Sequence, residues 1–279
     1  MGYNRYPSPL ECGITMLTII RAFVVLLLAL LALHCQAQPV EFRVAFEDKD
    51  SYDHTGNGSV VPEHPGVLVE LVAMIPARVP NLRITFSRKP WARCLAELEV
   101  GAVDAIFSSS FKPERQKTGM YPMADGKPDR RYRMDTKSYS LYKLRETPLE
   151  WDGTAFSHVQ QGVIAMRGYA IIDDLKKSGV PVMEANSPDD AFRMLLAGRA
   201  DGFAHLTDFG DLTLRRKPEL DRVVKLPMPL ATRDYYLQIS HQFNARHPEL
   251  APKIWKALAE ARQAEGERLA AKYLKLYAE

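Results

Sequence analysis

Cysteine is scarce in this chain: only Cys12, Cys35 and Cys94 occur among 279 residues. Cys12 and Cys35 lie in the N-terminal segment, and loss of that segment leaves Cys94 alone. A single cysteine cannot build a disulfide framework, and its place in PWARCLAEL reads as a small buried residue on a helix face. Charge of one sign is also missing. The formal net charge is +3 with no long lysine or arginine run, so nucleic acid is not an expected partner. The seven histidines, at 34, 54, 64, 158, 205, 241 and 247, show no paired ligand spacing, and no metal is expected. Neither a G-x-S-x-G elbow nor a phosphate loop is present, and no cofactor or catalytic residue is assigned. Beyond the N-terminus no apolar run is long enough to cross a membrane.

The N-terminus itself is patterned. From Met16 the chain reads MLTIIRAFVVLLLALLALHCQAQ, with a basic Arg21, an apolar stretch over 22–33, and small residues at Cys35 and Ala37. This is the pattern of a cleaved export signal over 1–37, starting at Met16 and cut after Ala37, and it places the mature chain in the periplasm. His34 is too bulky for a lipoprotein site at Cys35.

The remainder alternates strand and helix signals, which argues for α/β lobes with a mainly parallel sheet. EFRVAF, LRITFS and VDAIF read as strands; PGVLVELVAMIPARV and PWARCLAELEVG read as helices. The pattern restarts with GVIAM, then GYAIIDDLKKSG, PVMEA, SPDDAFRMLLAG, ADGFAHL and TDFGDLTLRR. LEVGAVDAIF and LLAGRADGFA share a leucine, a glycine and then Asp104 or Asp201, so the two halves have like construction. Extended aromatic segments at 131–144 and 229–240 flank the second half, as expected where a chain crosses between lobes and returns. The last stretch, from His247, is amphipathic and helical and is expected to pack on the first lobe.

Residues 104–116, DAIFSSSFKPERQ, end an apolar strand in three serines and set an arginine five residues beyond. In an open parallel sheet, ligands bind past the carboxyl ends of strands. Hydroxyls there, with Pro113-Glu114-Arg115 as the first turn of a helix, form an anion cradle; the other reading is a serine-capped turn with a solvated Arg115.

These motifs resemble the extracellular solute-binding proteins of family 3, the periplasmic receptors of polar amino acid ABC importers. FSRKPWARCLAELEVGAVDAIFSSSFKPER and GVIAMRGYAIIDDL…ANSPDDAFRMLLAGRADGFAHLTD carry the resemblance, over about residues 40–260. It implies a type II periplasmic binding protein fold, α/β, with two doubly wound lobes joined by two crossing segments. The expected boundaries are 38–142 with 236–279 for the first lobe and 143–235 for the second. It implies that Ser108, Ser110 and Arg115 hold a ligand carboxylate and that Trp91 covers the ligand. Glu47 would face the ligand, and Gly168 and Tyr169 would close on it from the second lobe. Tyr169 stands where a small hydroxyl residue is usual. Leu206 stands where the family's ammonium-binding aspartate is expected, with Asp208 two residues on either as a substitute or as a helix cap near Thr207. The segment 121–133 is unlike the family's short connection and could line the cleft.

The implied function is capture of a small carboxylate-bearing, amino acid-like solute by a monomer that serves an inner-membrane ABC permease. Two other readings share the fold: a periplasmic cyclohexadienyl dehydratase-like enzyme, and a sensory binding protein feeding a membrane receptor.

Overall fold

The computed structural model describes residues 38–58 and 60–278. The expected signal segment 1–37, with its cleavage point, lies outside the described residues. Among the described residues no helix is long and apolar enough to cross a membrane.

The first part runs β1 (Val40–Glu47), α1 (Val67–Ala73), β2 (Leu82–Lys89), α2 (Trp91–Glu99) and β3 (Ala105–Ser110). After a small hairpin of β4 (Met123–Ala124) and β5 (Lys127–Pro128), the long strand β6 (Asp135–Leu144) leaves this part. A second small hairpin follows, β7 (Glu150–Trp151) with β8 (Phe156–Ser157). The second alternation is β9 (Val163–Met166), α3 (Ile171–Lys177), β10 (Val182–Ala185), α4 (Pro188–Leu196), β11 (Gly202–Leu206), α5 (Thr207–Arg216) and β12 (Val223–Lys225). The long strand β13 (Ala231–Ile239) then returns, and α6 (His241–Arg246) and α7 (Leu250–Ala278) close the chain.

One curled sheet runs β10-β9-β11-β6-β13-β3-β1-β2, with β12 on β6. Each end is parallel: β1 with β3, and β9 with both β10 and β11. The middle is antiparallel, where β6 pairs with β11 and β13, and β13 pairs with β3. The crossing strands also pair with each other, residues 231–235 against 135–139.

The shared glycine–aspartate pattern has a physical counterpart. Asp104, just before β3, accepts hydrogen bonds from the Arg43 backbone N–H at 2.9 Å and its Nε at 2.8 Å, on the neighbouring β1. Asp201, just before β11, accepts from the backbone N–H groups of Gln160, Gln161 and Gly162 at 2.8, 2.6 and 2.7 Å, at the entry to neighbouring β9. Each aspartate thus ties the start of its own strand to the start of the next one in the sheet. Burial costs such a carboxylate little, because it accepts several hydrogen bonds.

Local chemistry explains most element ends. Ser187 caps α4 by accepting from the Asp190 N–H, with Pro188 at the first position. The helix expected over PGVLVELVAMIPARV stops at Ala73 and gives way to a 3-10 turn at Ile75–Ala77. Pro76 offers no N–H and its ring crowds the preceding turn. Two expectations around the serines are corrected. The serines are not past the strand but inside it, since β3 runs to Ser110. Pro113–Gln116 is a single 3-10 turn, not the start of a helix, so no helix terminus supplies charge there. The final helix α7 does pack on α1, where Glu70 accepts from Lys272 Nζ at 2.7 Å and from the Tyr273 hydroxyl.

Two histidines are buried at the centre. The His54 ring Nδ1 lies 2.6 Å from the Lys49 carbonyl, which fixes it as the donor. Burial, with Lys49 and other cations nearby, lowers its pKa to about 3. His205 on β11 is fully buried and stacks on Phe203 at 4.7 Å. Neither of its ring nitrogens has a partner among the described residues, and burial holds its pKa well below 6.5. The unfolded chain binds protons on both rings near 6.5 while the fold refuses them. Stability is therefore lost as pH falls below 6.5, by about 1.4 kcal/mol per pH unit for each ring. Urea melts from about pH 7.5 to about pH 5 should show this loss. His205→Leu should flatten the slope and raise stability at the acid end; an unchanged slope would mean that His205 does not titrate on unfolding.

Candidate functional site

The site begins with a fault in the sheet. β13 and β3 pair Tyr236 with Ser109 and Gln238 with Ile106, so Leu237 alone faces Phe107 and Ser108. The extra residue is a bulge on β3, and Ser108 adopts φ 58° there. A bulge re-aims side chains. Ser108 and Ser110 face a cavity between the two parts of the fold. Ser109 turns away to Gln238 Oε1 at 2.9 Å and shares a 2.7 Å hydrogen bond with the Tyr121 hydroxyl. The Ser108 hydroxyl is buried without a partner among the described residues.

Arg115 is buried at 7% exposure. Its Nη1 donates to the Ser110 carbonyl at 2.9 Å and hydroxyl at 3.0 Å, and its Nη2 donates to the Gly168 carbonyl at 2.7 Å. Gln238 Nε2 donates to the Arg115 and Gly119 carbonyls at 2.8 and 3.0 Å, which pins the turn to β13. The guanidinium lies 5.6 Å from the Trp91 ring centre. Gly168 favours glycine: its φ is +77°, and an added Cβ would stand a tight 3.3 Å from Trp91. All of Arg115's partners are neutral oxygens, and no carboxylate forms an ion pair with it among the described residues.

Across the cavity, the Tyr169 hydroxyl donates to Glu47 at 2.7 and 2.9 Å and lies 3.2 Å from Lys49 Nζ. Burial and the Glu47 charge raise the phenol well above its ordinary pKa. Lys49 Nζ sits 3.4 Å from the Phe209 ring centre. Burial lowers its pKa to about 8, against the pull of Glu47. These contacts join β1 and its following loop to the region of α3 and α5, so they close the cleft from both sides.

Lys137, on β6, is 3% exposed and forms ion pairs with Asp53 at 2.7 Å and Asp135 at 2.9 Å. Burial lifts the Asp53 carboxyl while Lys137 draws it down. Burial acts against the ammonium as well, but the surrounding carboxylates outweigh it and hold Lys137 well above its ordinary value.

The cavity between these groups measures about 30 Å³, near the share of one water. Six of the predicted residues line it: Glu47, Trp91, Ser108, Ser110, Arg115 and Tyr169. Gly168 contributes its carbonyl to Arg115. Asp208 is not brought in. It accepts from the Tyr52 hydroxyl at 2.8 Å and borders a separate groove of about 770 Å³. Its place on the first turn of α5 turns it towards Tyr52. Segment 121–133 does not line the cavity either; it forms the β4–β5 hairpin, and Tyr121 supports the serines from behind. Leu206 does line the cavity. Sequence reasoning missed Asp53, His54, Lys137, Tyr139, Phe209 and Tyr235, which also line it. One signal was available: Lys137 alternates with Tyr139 and Leu141 on one face of β6, and a lysine at such a position needs a buried acid.

No family model matches this chain, and no curated protein matches it. Solved structures do. An amino acid ABC transporter substrate-binding protein from Streptococcus pneumoniae, bound to L-arginine, is 14% identical with a TM-score of 0.66, covering 86% of this chain and 96% of that one. A histidine kinase sensor domain similar to periplasmic binding proteins is 17% identical with a TM-score of 0.65, covering 86% and 98%. This chain has the two-lobed periplasmic binding protein fold. An arginine-binding protein mutant from T. maritima shares it at 16% identity and a TM-score of 0.64, covering 84% and 95%.

The buried pair gives a test of the crossing strand. Lys137→Met should cost roughly 3–5 kcal/mol in urea melts, because it strands Asp53 as an uncompensated buried charge. Adding Asp53→Asn should recover a large part of that loss. If the double variant is no better than the single one, the ion pair is not what Lys137 contributes.

Proposed function

We propose that this chain is a periplasmic solute-binding protein that captures a small carboxylate-bearing solute in the interlobe cleft and delivers it to an ABC permease. One observation carries the reading: Arg115 is a buried cation whose partners are all neutral oxygens. A buried guanidinium is costly unless an anion compensates it, and its planar fork matches a carboxylate. Ser108 and Ser110 add hydroxyls beside it, Gly168 and Tyr169 approach from the second lobe, and Glu47 and Trp91 complete the walls. The reported structures support binding rather than catalysis, since two are substrate- or arginine-binding proteins. A sensory role is the second reading, favoured by the kinase sensor domain among them. The proposed lobes are 38–142 with 236–279, and 143–235.

A ligand that touches both lobes favours the closed form. Native mass spectrometry of freshly purified protein should release a co-purified acid. For that acid, Arg115→Ala should weaken calorimetric binding by roughly 1.5–3 kcal/mol, or about tenfold to a hundredfold. Arg115→Lys should restore only part. Affinity untouched by Arg115→Ala would sink the carboxylate reading. Motion is tested separately: small-angle scattering should give a smaller radius of gyration at saturating ligand than without it, and equal radii would rule out closure on the ligand.

A further inference from the structure

The cavity is small because one large side chain fills the space beside it. Tyr169 is buried and lines the cavity. Its ring lies over His205 at 6.3 Å and meets Tyr139 edge to face at 6.4 Å. Its hydroxyl donates to both oxygens of Glu47, at 2.9 and 2.7 Å, at the end of β1. A ring packed on two sides and bonded at its tip cannot turn aside without moving its neighbours. What remains between Tyr169, Trp91, the serines and Arg115 is about 30 Å³. A cavity of about 150 Å³ holds a benzene ring, so no such group fits here while the phenol keeps its place.

The wall that carries Tyr169 is also fastened. Arg115, beyond β3, donates to the carbonyl of neighbouring Gly168 at 2.7 Å. In the first turn of α3, Asp173 pairs with Lys112, and Asp174 pairs with Arg233 on β13. A ligand too large for the cavity must draw this wall away. It forfeits the Tyr169–Glu47 and Arg115–Gly168 contacts, which a smaller ligand keeps. An acid of two or three carbons asks for little such movement: its carboxylate meets Arg115 and the serine hydroxyls, and only one or two carbons are left to place.

We propose that Tyr169 sets the size limit of the cleft and that its ligand is an acid of two or three carbons. This rests on the carboxylate-binding reading of the cleft and adds a ligand size class to it.

Monocarboxylates that share one head group test it by calorimetric titration: acetate, propanoate, hexanoate and phenylacetate. In an unrestricted apolar pocket each added methylene tightens binding by roughly fourfold. Here the order should reverse beyond three carbons, with hexanoate and phenylacetate at least about tenfold weaker than propanoate. Tyr169→Ser removes the ring and should tighten both larger acids at least about tenfold. Tyr169→Phe keeps the ring and should leave the wild-type order in place. Affinity that rises along the wild-type series, or no binding of acetate and propanoate, would overturn the size class. Larger acids admitted equally by Tyr169→Phe would show that the hydrogen bond to Glu47, not the ring, sets the limit. Larger acids that gain nothing from Tyr169→Ser would remove Tyr169 from the role. Thermal melts check the fold of each variant, and Tyr169→Leu repeats the test should the serine variant not fold. Binding of the short acids that survives Arg115→Ala would instead overturn the carboxylate reading itself.

Discussion

The pairing of β6 with β13 is the constraint on which the rest of the molecule depends. Residues 135–139 lie against 231–235, and each strand then continues into a different neighbour, β6 into β11 and β13 into β3. Because side chains alternate along a strand, this one register places Lys137 and Tyr139 from β6, and Tyr235 from β13, around the same cavity. A slip of one residue would turn Lys137 out and bring Thr136 or Ser138 in. The two parallel ends of the sheet are joined through these strands.

Buried charge is organised around that wall in two different ways. Lys137 is a structural cation, compensated by Asp53 and Asp135 at ion-pair distance. Arg115 is held as firmly, through Ser110, Gly168 and the Gln238 contact to its carbonyl, but by neutral oxygens alone. Close-packed interiors bear a cation of the first kind as part of the fold. A cation of the second kind is oriented without being neutralised, which is the condition for binding an anion. The bridge from Arg115 to Gly168 also means that one side chain both addresses the cleft and links the two lobes.

Much of the architecture was legible because local chemistry and periodicity coincide with it. TDFGDLTLRR is α5 over its whole length, and Ser187 with Pro188 starts α4 as their chemistry demands. The repeated aspartate pattern marked two like lobes, and Asp104 and Asp201 do equivalent work in each. Six cleft residues could be named because DAIFSSSFKPER and the segments around Glu47, Trp91 and Tyr169 carry a motif. Asp208 lies outside the cavity because the chain turns from β11 into α5 at Leu206, and the first turn of the helix carries Asp208 towards Tyr52.

The sequence by itself determined the strand–helix alternation, the two crossing segments and the presence of an arginine beside serines. These depend on near neighbours along the chain: hydrophobic period, caps and turn residues. Only the tertiary structure decided which charges are compensated. Glu47 meets Tyr169 and Asp53 meets Lys137 across separations of 122 and 84 residues, and no local pattern encodes such distances. The bulge at Ser108 likewise follows from a mismatch with β13, a strand far along the chain. Whether a buried charge serves the fold or is left for a ligand is set by the partners that folding brings to it.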